Sequence, residues 1–115
     1  MTEVLGPETG IAALVRRLRE GGAVVRVVPA GVDKDESLER FGQALRFPDW
    51  YGHNYDALFD CLLAWAHEAA VPVHVVWDGT APLREEHPDV FEVVVRLLGD
   101  AEDEKDNLRA TVVDR

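Results

Sequence analysis

Asp56 and Asp60 stand one helical turn apart in the stretch Asn54-Tyr55-Asp56-Ala57-Leu58-Phe59-Asp60, with His53 just upstream and His67 downstream. Residues four apart on a helix share a face, so the two carboxylates point the same way. Three chemistries use such a pair. One carboxylate can act as general acid and the other as base, as in glycoside hydrolysis. With His53 and His67 they offer oxygen and imidazole ligands of the kind zinc or manganese takes. Left free, they form an anionic surface for a cationic partner. An acid–base pair needs a cleft that desolvates one member and raises its pKa, and two acids on a convex helix in so short a chain offer none. Isolated histidines flanking a helix usually cap it or face water, which weakens the metal reading. The interface reading is favoured, and the site is read as holding no metal and no cofactor.

The charge distribution points the same way. The 115 residues carry 22 acids and 12 bases, a net charge of −10. Residues 1–46 are balanced at seven of each, whereas residues 47–115 hold fifteen acids and five bases. Between Phe47 and Leu83 there is no Lys or Arg, but Asp49, Asp56, Asp60, Glu68 and Asp78 are present. That surface repels phosphate backbones, so the expected partner is a basic protein and not nucleic acid. Asp56 gains from the helix dipole, but Asp60 lies deeper and repels it by about 0.2–0.5 kcal/mol with no local base in relief. Stability alone would favour lysine at one of the two positions.

The elements that must position this pair follow from periodicity. Thr9 is read as the cap of a helix carrying Ile11, Leu14, Val15 and Leu18, stopped by Gly21-Gly22. Ala23–Val28 reads as a buried strand ended by Pro29. Asp35-Glu36 opens a second helix with Leu38, Phe41 and Leu45 on one side, closed by Phe47-Pro48. After a loop over 49–53, Asn54 caps a helix that runs to about Glu68 with Leu58, Leu62 and Trp65 inward. Its second face holds Asp56, Phe59, Asp60, Leu63 and His67. Val71–Trp77 is a strand turned by Asp78-Gly79. Pro88-Asp89 starts a helix through Leu98 that Gly99 ends, Asp100–Asp106 is a solvated loop, and Leu108–Val113 is a third strand. Strands alternating with helices imply parallel crossovers, hence an α/β fold with a small three-stranded parallel sheet, an added N-terminal helix and one domain over 1–115.

In the aromatic loop Trp50-Tyr51-Gly52-His53, Tyr51 is expected in the core and Trp50 in solvent, with Gly52 supplying a backbone angle that other residues resist. Cys61, the only cysteine, precludes an internal disulfide and reads as a small core hydrophobe; His74 within a strand reads as a core residue. Met1-Thr2-Glu3 lacks a signal peptide's bases and no apolar run approaches about 20 residues, so a cytoplasmic protein away from membranes is expected.

The run Phe47-Pro48-Asp49-Trp50-Tyr51-Gly52-His53-Asn54-Tyr55-Asp56-Ala57-Leu58-Phe59-Asp60-Cys61-Leu62 resembles the signature of the barstar family, intracellular inhibitors of secreted bacterial ribonucleases. The resemblance implies a monomer whose acidic helix and preceding loop plug the cationic active site of a barnase-like ribonuclease. Asp60 would take a substrate phosphate's place, Asp56 would meet bases at the rim, and Trp50 and Phe59 would make aromatic contacts. Gly52, His53, Asn54 and Leu63 complete the expected partner-binding set. The family's further acidic contact, from a helix near the C-terminal end, aligns near Arg96, where Asp100 or Glu102 are the available substitutes. A partner other than a nuclease, bound by the same acidic face, is the alternative.

Overall fold

The computed structural model describes residues 2–115. Its elements are β1 (Glu3–Leu5), α1 (Ile11–Glu20), β2 (Val24–Pro29), α2 (Lys34–Leu45), α3 (Tyr55–Ala69), β3 (Val73–Asp78), α4 (Ala81–Glu86), α5 (Pro88–Glu104) and β4 (Leu108–Val113). The strands form one parallel sheet in the order β1-β4-β3-β2. The sheet therefore has four strands and not the three expected. The added strand, β1, pairs Glu3, Val4 and Leu5 with Thr111, Val112 and Val113. Three residues are too few to show a period, which is why the sequence pattern passes over it.

Alternation along the strands sends side chains to two faces. On one face Val73, Val75 and Trp77 of β3 join Leu108, Ala110 and Val112 of β4 under Leu38, Phe41, Leu58, Leu62, Val94 and Leu98 from α2, α3 and α5. On the other, Val25, Val76 and Val113 are covered by Leu14 of α1, with Leu5, Ile11, Val15 and Leu18 at its margin. Both faces being covered explains why the strands read as near-continuous valine runs. His74 lies on this second face, half-buried, with Nε2 2.8 Å from Thr111 Oγ1. Burial holds its pKa below the ordinary histidine value.

Three local expectations are corrected. Gly10, not Thr9, occupies the N-cap of α1 and no side chain caps it; Thr9 instead closes a turn, its N–H donating to Gly6 O at 3.2 Å. Helix α5 does not stop at Gly99, and most of the expected loop over 100–106 is helical, with the connection confined to 105–107. Gly99 lies inside the helix beside Thr2, where a Cβ would stand 3.4 Å from Thr2 Oγ1, an ordinary contact, so it does not terminate the helix. The short helix α4, with Pro82 in its first turn, falls in a segment with no helical period in the sequence.

Candidate functional site

Helix α3 begins as its sequence requires. Asn54 is extended, and its Oδ1 accepts the Ala57 N–H at 2.8 Å, satisfying a free donor of the first turn. Leu58, Cys61, Leu62 and Ala66 are buried, which leaves Asp56 and Asp60 on the outer side, both exposed. Phe59 and Leu63 are half-buried and pack on the core edge, and His67 is exposed. Among the described residues there are three ion pairs, Glu36–Arg40, Arg84–Asp114 and Asp78–Arg115, none involving Asp56 or Asp60.

The two acids are not on a bare convex surface. Packing of α3 against α5 leaves an open groove of about 470 Å³, lined by Tyr55, Asp56, Phe59 and Asp60 from α3 and by Val93, Arg96, Leu97 and Asp100 from α5. The expected absence of a concavity is thus corrected: Val93, Arg96 and Leu97 of α5 build the second wall, and the continuation of the helix beyond Gly99 adds Asp100 to it. Asp100 brings a third exposed carboxylate to the groove and Arg96 a single base. Glu102 is turned elsewhere: Thr2 Oγ1 donates to its Oε1 and the Ala110 N–H to its Oε2 at 3.3 Å. Of the two acids available on that helix, only Asp100 shares the groove.

The loop before α3 is seated by Tyr51. Its ring is buried at 5% exposure, its hydroxyl donates to Leu38 O at 3.0 Å, and it meets Phe47 edge-on with ring centroids 5.0 Å apart. Burial pushes its pKa up to about 12. Trp50, one residue earlier, is 72% exposed, as the loop pattern leads one to expect. The residue with a left-handed backbone is His53, at φ 50°, and not Gly52. Gly52 instead lies against the cap, where a Cβ would stand 3.1 Å from Asn54 Nδ2 and would press on that side chain.

These residues do not converge on one hollow. Trp50 borders a smaller apolar pocket of about 110 Å³ with Phe47, Pro48, Cys61, Ala64, Trp65 and Glu68. The His53 ring lies tilted at 43° to that of Tyr51, centroids 4.6 Å apart, and lines a third depression with Asp49 and Gly42. Leu63 is placed by the core. Gly52, His53 and Asn54 are exposed. Among the described residues no three His, Cys, Asp or Glu side chains are arranged to hold a metal, so His53, Asp56, Asp60 and His67 are not assembled as ligands. Cys61 is 2% exposed, and burial, with the nearby Asp60 carboxylate acting in the same sense, pushes its thiol pKa up, which disfavours the reactive thiolate. No described helix is long and apolar enough to cross a membrane.

Fold and site together define a small parallel α/β domain whose outward helix and preceding loop present acids and an exposed aromatic. Residues 24–114 match the family model described as Barstar (barnase inhibitor), and the chain belongs to that family. The match starts at β2, so β1 and α1 lie outside it. No curated protein sequence matches the chain. Among solved structures, that of the Aeropyrum pernix ORC2 protein, determined as ADPNP–ADP complexes, is similar with a TM-score of 0.60 at 10% identity. The likeness spans 98% of this chain but only 34% of that one, and at this identity it concerns the fold alone.

Proposed function

We propose that this chain is an inhibitor that docks α3 and the loop over 47–54 into the cationic active site of a ribonuclease. The observation that carries the reading is the pair of exposed carboxylates, Asp56 and Asp60, free of ion pairs among the described residues and joined by Asp100 across an open groove. An RNA-cleaving site must be cationic to hold phosphates, so fixed carboxylates both accelerate encounter and occupy the phosphate positions. Asp60, in the middle of the face, takes a phosphate's place; Asp56 meets rim bases, and Asp100 supplies the acidic contact from the C-terminal helix. Phe59 adds contact area within the groove and Trp50 an aromatic contact at the separate pocket it borders, with Gly52, His53, Asn54 and Leu63 completing the contact surface.

Because a capped helix holds the acids, little ordering entropy is lost on docking and the dissociation rate sets the affinity. Family membership supports the inhibitor class, and the acidic surface argues against nucleic acid as the direct ligand. The exposure of both acids argues against an acid–base enzyme, since neither is desolvated. The protein acts as a cytoplasmic monomer in a bacterium. The test is titration of guanyl-preferring microbial ribonucleases with the wild-type chain and with Asp60→Ala. Stoichiometric inhibition by the wild type, weakened by about 2–5 kcal/mol in the variant, is expected. Equal inhibition by both would mean that another face binds; no inhibition of any ribonuclease would leave an acidic docking domain for a different partner.

A further inference from the structure

Arg96 is the one base lining the acidic groove, and it carries a specificity consequence that builds on the inhibitor reading. It sits one turn before Asp100 on α5, across from Asp56 and Asp60, and is exposed. It takes part in none of the three ion pairs found among the described residues, whereas Arg40, Arg84 and Arg115 each hold an acid. A partner presenting only cations to this groove would bring one of them against Arg96 in a desolvated contact, a juxtaposition that opposes binding strongly.

We propose that Arg96 selects ribonucleases whose general base is a carboxylate, by pairing with that carboxylate in the complex. RNA cleavage by attack of the 2′-hydroxyl requires a group to take its proton, and Asp or Glu is one of the side chains able to do so. Such a base must stand beside the cations that hold the phosphate. The enzyme's surface then shows one negative point within a positive field, the inverse of three carboxylates around one guanidinium. A ribonuclease using histidine as base offers no such counter-charge.

The experiment is a double-mutant cycle. Inhibition constants are measured for wild type, Arg96→Gln and Arg96→Glu against a guanyl-preferring ribonuclease with a glutamate base and against its Glu→Gln variant, the variant being followed by direct binding. Thermal melting of each inhibitor checks that the exposed substitutions leave the fold intact. The expected result is a loss of about tenfold or more for Arg96→Gln and a larger loss for Arg96→Glu, both disappearing against the Glu→Gln enzyme. Unchanged or tighter binding by Arg96→Glu, or a loss that persists against the Glu→Gln enzyme, would overturn the assignment while leaving the inhibitor reading standing. Failure of the wild-type chain to bind would remove the inhibitor reading and this inference with it.

Discussion

Replacing Gly42 by alanine sets two physical effects of opposite sign against each other. Gly42 lies inside α2, where alanine in place of glycine ordinarily stabilises by about 1 kcal/mol. Here the added Cβ would stand 2.9 Å from Cδ2 and 3.0 Å from Cε2 of Tyr51, where carbon atoms in contact prefer about 3.5–4.0 Å. The ring has to retreat, and it is fixed at its far end by the 3.0 Å hydrogen bond to Leu38 O and along its edge by Phe47. Overpacking costs about 1–3 kcal/mol and the weakened hydrogen bond about 1 kcal/mol, so the net effect is a destabilisation of about 1–3 kcal/mol. Urea unfolding reads this as a lower midpoint at unchanged slope. In a Tyr51→Ala background the same substitution should stabilise by about 1 kcal/mol, because nothing then opposes the gain in helix propensity. A rise in stability for Gly42→Ala in the wild-type background would refute the seating of Tyr51 against α2, and with it the explanation of how the loop bearing Trp50 is held.

Two more outcomes follow from the packing. Tyr51 ionises in the unfolded chain near 10.0 but only at about 12 in the folded protein, so the unfolded state loses its proton first; stability should be fully present below pH 10, decline between these values, and do so less in Tyr51→Phe when followed by urea unfolding across that range. Removing residues 1–22 strips Leu14, Ile11, Val15 and Leu18 from the sheet's second face and β1 from the edge of β4, so the truncated chain should lose at least about 3 kcal/mol and bind a hydrophobic dye, whereas wild-type stability would show that the segment outside the family match is dispensable.

Much of the arrangement is legible in the amino-acid order because local chemistry and global packing agree. The apolar period of α3, its Asn54 cap and the outward acids are all encoded within one turn or two of each residue. That one of Trp50 and Tyr51 turns inward is expected of such a loop, but the choice of Tyr51 is made by α2, through Leu38 O and the space at Gly42. What escapes the sequence is set by distant partners. β1 exists because Glu3–Leu5 meets Thr111–Val113 across more than a hundred residues. Gly99 looks like a helix stop but lies inside α5, beside Thr2. The groove is a product of two helices meeting, so Arg96 and Asp100 join Asp56 and Asp60 only in three dimensions. The acidic run over 100–106, read as loop, carries an i, i+4 pattern that could have placed Asp100 on the same wall as Arg96.

Asp56 and Asp60 are held to act through fixed negative charge. Stopped-flow association of the chain with a guanyl-preferring ribonuclease over a range of ionic strength isolates that charge when wild type is compared with the isosteric Asp56→Asn/Asp60→Asn variant. Rapid wild-type association that slows steeply with salt is expected, with slower, flatter kinetics for the neutral variant. Identical salt dependence in the two proteins would show that these carboxylates do not steer the encounter.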